Sequence, residues 1–589
     1  MTVTTRTLSK INQALKRLAS TALLTLGVLL IASCGGGGSD SSARPTAVIP
    51  PPTVDEPDIP EVPLTPVAHV RFVDATSAAG LDFLHKLNGE TMAGMVAAGI
   101  AVGDYDDDGW LDVYLVQGNT GFNKLYKNRS QVGSYDFVEV ASAAGVAGGF
   151  DDKASGPAFV DYDGDDDLDL FVGSVENTSF RVYENLGDGT FTEVTANSGL
   201  ANIGRENNIG VAFGDFDEDG ALDLFIGHWT FTENETPEGS TGHLWHNNGD
   251  GTFSDVSDTT LVSDIVLEKP IDYTFSPTFA DIDNDGDSDL LVVADNHTSQ
   301  VLINDGDMGS GLYTFSYATD EEVVTDEAGM GSTVADFDND GDLDWFVTSI
   351  SLGDATDGRS TGTDNAGFNL TGNRFYRNEG NGVFSDQTGV AGVRKGYWGW
   401  GSCAADFNND GYLDIFHVNG MDEPTTDAYL DDPSRLFINN ADGSFTEYAE
   451  PLGLVDRKSG RGVTCFDGDK DGDIDILVSN NGDNAYLFRN DGGNQLSYLN
   501  MQLRNEAPNT QAVGARIYVT SLGMTQLREI HNGSNYVSQN PAEQHFGLND
   551  SEYIDLVRVV WPDGSETSRT NVDANQRIVV QHPDAWSTD

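Results

Sequence analysis

Seven times along this chain a nine-residue phrase sets oxygen-bearing side chains at one spacing. Its clearest copy is Asp336-Phe337-Asp338-Asn339-Asp340-Gly341-Asp342-Leu343-Asp344. Carboxylates stand at positions 1, 3, 5 and 9, glycine at 6 and an apolar residue at 8. Hard cations of the calcium type gather about six to eight oxygens, and a short loop delivers that many only by turning sharply. Side chains at 1, 3 and 5 converge on one point. Glycine at 6 permits the turn, the carbonyl of position 7 can face inward, and the carboxylate at 9 closes the cage. The chemistry expected is structural Ca2+ binding, at up to seven sites.

The other copies offer Asp104, Asp106, Asp108 and Asp112; Asp161, Asp163, Asp165 and Asp169; Asp215, Asp217, Asp219 and Asp223; Asp281, Asp283, Asp285 and Asp289; Asp406, Asn408, Asp410 and Asp414; and Asp467, Asp469, Asp471 and Asp475. The second copy departs from the pattern, with Gly164 at position 4 and Asp166 at position 6; aspartate tolerates the left-handed backbone better than most residues. In the sixth, Asn408 keeps an oxygen at position 3 and loses a charge. Without a cation, such clusters hold like charges a few ångströms apart. Each phrase resembles the first half of an EF-hand loop, but the closing Glu at position 12 is missing and a strand follows instead, as in Trp345-Phe346-Val347.

The loops need strands to hold them. They recur about every sixty residues, with short β-rich runs between, which suits a four-stranded propeller blade. Strand 1 precedes each loop, as in Ala101-Val102-Gly103, and strand 2 follows it, as in Val113-Tyr114-Leu115-Val116. Strands 3 and 4 form a hairpin, as in Arg181-Val182-Tyr183-Glu184-Asn185 and Thr190-Phe191-Thr192-Glu193-Val194, joined through Gly187-Asp188-Gly189. The seventh copy has a strand 3, Tyr486-Leu487-Phe488-Arg489-Asn490, and no strand 4. Near the other end, Arg71-Phe72-Val73-Asp74-Ala75-Thr76 matches a strand 4 and is expected to complete that blade, closing the ring. The fold class is all-β: a seven-bladed β-propeller over 67–496, then a small β domain over 497–589 packed on the last blade.

Asp-x-Asp-x-Asp-Gly-x-Leu-Asp loops with Phe-Thr-Glu-Val hairpins resemble FG-GAP/VCBS repeats, the blades of integrin-type propellers. Gly210-Val211-Ala212-Phe213-Gly214-Asp215, Met330-Gly331-Ser332 and Trp398-Gly399-Trp400-Gly401 resemble the cartilage acidic protein branch of that family. Gly514-Ala515-Arg516-Ile517-Tyr518-Val519, Gln544-His545-Phe546-Gly547-Leu548 and Val557 to Gly564 resemble the ASPIC/UnbV domain. The resemblance implies calcium-loaded blades and carries no catalytic residue.

The 589 residues hold 95 acidic against 31 basic side chains, a net charge of −64, which argues against nucleic acid or an anionic membrane surface as partner. Residues 1–33 read as a leader, with Lys10, Lys16 and Arg17 before an apolar run too short to span a bilayer. Ile31-Ala32-Ser33-Cys34 resembles the lipobox of bacterial lipoproteins, implying cleavage before Cys34, its acylation and an outer-membrane lipoprotein, periplasmic or surface-facing. Residues 34–66, rich in glycine and then proline, read as a tether. The membrane is reached through the N-terminal lipid only.

Nothing in the sequence forms a nucleophile elbow, a zinc motif or a phosphate loop. His228, His243 and His246 cluster in the third repeat, and loop or core roles are expected for them over a metal site. Cys403 lies three residues before its loop and Cys465 two before theirs; alternation sends such thiols to opposite faces, so two buried thiols are expected rather than a disulfide. Lys86, Lys153, Arg205, Lys269, Arg394, Lys395, Arg457, Lys458 and Arg461 fall in the loops entering the innermost strands. They are expected to ring a central opening on the face away from the calcium loops and to receive an anionic group. The function expected is a calcium-binding, lipid-anchored envelope protein acting as an adhesion or binding module for a protein or acidic glycan. The alternative is a polysaccharide lyase or hydrolase on the same propeller.

Overall fold

A computed structural model describes residues 67, 69–86, 92–150, 152–176, 180–203, 207–229, 242–266, 272–309, 311–351, 372–421, 429–533 and 535–588. The leader, Cys34, the tether, Arg205, Lys269 and most of the long loops at 230–242, 351–372 and 420–434 lie outside them.

Each aspartate loop joins the first two strands of a four-stranded antiparallel sheet. In the first sheet the strands are Ile100–Gly103, Asp112–Leu115, Lys124–Asn128 and Phe137–Glu139. Seven such sheets follow the loops in order, numbered here as blades 1 to 7. The first strand of each touches the first strand of the next, and that of blade 7 touches that of blade 1. Inner strands such as Asp289–Ala294 are buried on both faces, because each blade packs against two neighbours. That explains their continuous apolar runs. Blade 7 takes its fourth strand from the other end of the chain: Phe72–Asp74 pairs antiparallel with Tyr486–Asn490, Val73 opposite Arg489.

The first strands crowd the axis. A Cβ at Gly156 would overlap the carbonyl oxygen of Ile209, and one at Gly210 that of Phe275. The glycines at these strand starts therefore let neighbouring backbones close in.

Cys403 and Cys465 form a disulfide, Cα to Cα 6.3 Å, correcting the expectation of two thiols. They sit on the first strands of blades 6 and 7, Gly399–Ala405 and Gly460–Phe466. Blades stack face to face, so one cysteine must use the front of its blade and the other the back of the next. The alternation that argues against pairing within one sheet is what a bond between stacked sheets requires.

The C-terminal part folds as two four-stranded sheets. One orders Gln544–Gly547, Tyr498–Arg504, Gln576–Gln581 and Ala585–Thr588; the other Met524–Glu529, Arg516–Ser521, Tyr553–Val560 and Glu566–Asp573. It does not pack on the last blade alone. It spreads over the aspartate-loop face, and residues 64–589 form one compact unit rather than two. A single apolar cluster runs from Leu499, Ile517 and Val557 into Val160, Phe213 and Leu224 of blades 2 and 3.

Segment 530–541 leaves this domain and fills the axis. Ser538–Gln539 adds a parallel strand to Ile100–Ala101 of blade 1. The Asn535 amide donates to Val463 O (2.7 Å), the Asn532 amide to Phe159 O (2.9 Å), and the Gln539 amide to Phe159 O (2.9 Å). Tyr536 is buried between Phe275 and Trp400, ring centroids 5.5 Å from each, and its hydroxyl donates to Val96 O (3.0 Å). First-strand carbonyls that no neighbouring strand pairs are thereby satisfied.

Candidate metal centres and the face opposite them

In every loop the position-1 carboxylate accepts backbone N–H groups from within the turn. Asp104 takes those of Asp108 (3.1 Å) and Gly109 (2.8 Å), and Asp336 those of Asp340 and Gly341 (3.1 Å each). The backbone turns left-handed at positions 4 and 6, as at Asn339 (φ 59°) and Gly341 (φ 94°). Loop 2 keeps that conformation with the residues exchanged: Gly164 and Asp166 both have φ 77°. Glycine moves to position 4 there because a Cβ would run into Pro508 of the C-terminal domain.

The position-9 carboxylate is tied to strand 3. Asp112 accepts the backbone N–H of Asn128 (2.7 Å), Asp223 that of Asn247 (2.8 Å) and Asp344 that of Asn378 (2.9 Å). The side chain of that same asparagine staples the blades. Asn185 donates to Tyr105 O of loop 1 (2.8 Å), Asn247 to Tyr162 O (2.7 Å), Asn304 to Phe216 O (2.7 Å) and Asn378 to Ile282 O (2.7 Å). Asn439 reaches Phe337 O and Asn490 Phe407 O (2.9 Å each); Asn128 returns to Gly468 O of loop 7 (3.0 Å), completing the circuit. Sequence reasoning passed over these asparagines, although each closes a quoted or matching strand 3. Asn378→Ala leaves the carbonyls of Ile282 and Leu343 without that donor. At about 1–3 kcal/mol for each buried group left unpaired, the expected loss is roughly 3 kcal/mol. A urea midpoint unchanged from the parent would refute the staple.

Burial holds Asp112, Asp344, Asp414 and Asp475 well above the ordinary carboxylate range, and lifts Asp104 to about 6 and Asp215 and Asp336 to about 7. Side-chain cations gather where the charge crowds. Lys127 pairs with Asp106 and Asp108, Arg377 with Asp338 (2.8 Å) and Asp340 (2.7 Å), and Arg516 of the C-terminal domain with Asp281 (3.3 Å). His246 lies 3.2 Å from both Asp217 and Asp223, and its pairing with Asp223 raises it to about 9.

These cations do not complete the loops. One carboxylate oxygen each of Asp106, Asp217 and Asp338, all at position 3, is buried with no donor. Asp469 is fully buried, and neither of its oxygens meets a donor. An ionised carboxylate so placed is strongly unfavourable unless a cation joins it. Oxygen-only donor sets on a tight turn fit a hard divalent ion.

The expected cationic opening is different in the structure. The axis is filled by 530–541, and Arg461 is buried: its guanidinium donates to Met95 O (2.7 Å), Gly420 O (2.9 Å) and Gly460 O (2.7 Å) and stacks on Trp400 (4.0 Å). Lys153 pairs with Glu176, Lys458 with Asp483 (2.6 Å) and Arg457 with Glu450 (3.7 Å). Lys86 and Lys395 are exposed and Arg394 is half-buried. In an acidic chain, loop cations find carboxylates before they find a ligand. His228 and His243 are core residues, the latter 3.1 Å from buried Asp272. Sequence reasoning also missed an exposed aromatic pair on this face: Phe122 and Phe150 stack edge to face at 5.5 Å, 46% and 54% exposed.

A family described as FG-GAP-like repeat matches residues 104–172, 161–226, 234–292, 281–347 and 361–417, and one described as ASPIC and UnbV matches 505–587. The chain is an FG-GAP-repeat propeller with an ASPIC/UnbV domain. The chain is also similar to Cartilage acidic protein 1 over most of its length. The human protein is 24% identical over 82% of this chain and 63% of its own length. The Xenopus tropicalis protein is 26% identical over 80% and 62%. The chain thus spans under two thirds of these relatives. Among solved structures, an Agrocybe aegerita lectin described as recognising non-reducing terminal N-acetylglucosamine is 17% identical over 67% of this chain and 94% of its own, with a TM-score of 0.37.

Proposed function

We propose that this chain is a calcium-loaded binding protein, not an enzyme, exported and held at a membrane by an acylated Cys34 on a Gly/Pro-rich tether. Its ligand, a protein or a glycan, docks on the face opposite the aspartate loops. The observation that carries the reading is coverage. The ASPIC/UnbV domain occupies the loop face and the axis, so among the described residues the 2–3 and 4–1 loops that carry Phe122 and Phe150 lie on the face left for a partner. The buried, partnerless carboxylates of Asp469 support calcium, with the residues at positions 1, 3, 5 and 9 as side-chain ligands. Calcium supplies charge neutralisation and cross-linking there, not chemistry. The Cys403–Cys465 disulfide supports an oxidising compartment. With Arg461, Lys458 and Lys153 committed within the fold, an acidic ligand is no longer favoured over a neutral one.

Cys34→Ser is expected to move the full chain from the membrane to the soluble fraction; unchanged fractionation would end the anchoring claim. That soluble form, with calcium, is the probe for glycan arrays and pull-downs. Phe122→Ser with Phe150→Ser is expected to weaken whatever binds by about tenfold or more, as loss of exposed aromatic anchors does, with the melting curve kept. Full binding by the double variant would move the site elsewhere.

A further inference from the structure

Loop 7, like loop 6, is more enclosed than loops 1 to 5, and unlike loop 6 it carries a carboxylate at position 3. Asp469, Asp473 and Asp475 are essentially without solvent contact, Asp467 is 5% exposed and Asp471 is half-buried, whereas positions 3 and 5 of loops 1 to 5 are all half-buried or exposed. Three separate pieces of chain close on it. From blade 1, Gly133 N donates to Asp469 O (2.9 Å) and the Tyr135 hydroxyl to Asp475. From the linker after blade 7, Gly492 N donates to the Asp473 carboxylate (3.1 Å) and the Asn494 amide to Asp471 O (3.1 Å). From the first strand of the C-terminal domain, the Asn500 amide donates to the Asp467 carboxylate (2.8 Å), and its oxygen faces His545 Nδ1 (2.6 Å).

All these donors are neutral. Lys127, Arg377 and Arg516 pair directly with carboxylates of loops 1, 5 and 4, whereas at loop 7 Arg489 bonds Asp491 (2.8 Å) and acts on Asp469 only through space. Both oxygens of Asp469 still lack a partner. The surroundings therefore fix the ligands, and with Arg489 acting only at a distance they leave the Asp469 oxygens to an ion. Outer donors that orient ligands in this way raise metal affinity.

We propose that loop 7 is the tightest calcium site of the ring, and that its ion fastens the seam between blades 7 and 1 together with the C-terminal plug. This rests on the calcium reading above. Because Asn500 and the 491–497 linker are bonded to the loop, ordering the loop by metal and docking the domain stabilise each other, and the coupling is reciprocal.

The test uses the calcium-loaded full chain, titrated with chelator, with bound calcium counted by atomic emission and hydrogen exchange followed in 530–541. Exchange there is expected to stay slow until the last ion leaves and then to rise by about tenfold or more. Asn500→Ala, which leaves every loop carboxylate in place, is expected to lose that ion at lower chelator and to exchange faster. Asp469→Asn should bind one ion fewer and exchange fast with the remaining sites loaded, while Asp283→Asn in loop 4 leaves exchange within about twofold of the parent. Should Asp469→Asn not fold, Asn500→Ala decides. Exchange that rises with the first ions lost, or an Asn500→Ala chain indistinguishable from the parent, overturns the proposal. A parent that binds no calcium would sink the calcium reading itself. A parent that binds calcium yet exchanges alike with and without chelator would sink this inference alone.

Discussion

A chain ending at residue 496 is expected to show no cooperative melting. Removing the ASPIC/UnbV domain withdraws Asn532, Asn535 and Gln539 from the carbonyls of Phe159 and Val463 and leaves those carbonyls without their donors. It also strips half of the largest apolar cluster, exposing Val160, Phe213 and Leu224. Each orphaned buried group costs about 1–3 kcal/mol and each uncovered large apolar side chain about 1.5–3 kcal/mol. Several of each exceed the net stability of about 5–15 kcal/mol typical of a folded domain. Tyr536→Ala is the graded version: it empties the space between Phe275 and Trp400 and is expected to lose about 3–5 kcal/mol. A 1–496 chain that melts sharply, at the full chain's temperature in calcium, would show that the domain is an appendage.

Chelation is expected to lower the melting temperature by about 15 °C or more, since each site held at a hundredfold excess over its dissociation constant adds about 2.7 kcal/mol. The pH dependence should reverse with it. Without metal, burial holds Asp104 near 6, Asp215, Asp336 and Asp469 near 7 and Asp169 near 9, all above the ordinary carboxylate value. The folded chain then binds more protons than the unfolded chain, so metal-free stability is greatest in acid and declines as pH rises from about 4 to 9. With calcium the carboxylates are ionised ligands, and acid displaces the ion, so stability falls as pH is lowered. Melting curves at pH 5 and pH 8, with calcium and with chelator, check both slopes. Equal slopes would mean that the loops are plain turns.

The blades were legible because each announces itself twice, by the aspartate phrase and by a hairpin such as the one spanning Arg181–Asn185 and Phe191–Glu193. The closing strand Phe72–Asp74 was legible because it repeats the sequence of a strand 4. What failed were relations between blades. The Cys403–Cys465 bond and the asparagine circuit both join neighbouring sheets, and neither register nor stacking can be read from one repeat. The plug was invisible for a plainer reason: 530–541 reads as a polar loop, since its partners are backbone carbonyls around an axis rather than side chains with a pattern. Arg461 was misplaced because position along a loop does not say which way a long side chain turns; it turns inward and meets carbonyls.

Phe72–Asp74 is the fourth strand of the blade made last, so one edge of the sheet carrying Tyr486–Asn490 stays open until both ends of the repeat region exist. Assembly therefore cannot proceed blade by blade to completion as the chain emerges. The early strand must wait, unpaired, for a partner synthesised hundreds of residues later. The segment destined for the axis comes later still, so the circle either shuts around it or admits it from one end. Such dependence on the most distant contacts makes for slow folding with exposed edges along the way. A chain of this design can close its ring only after its last blade has been made.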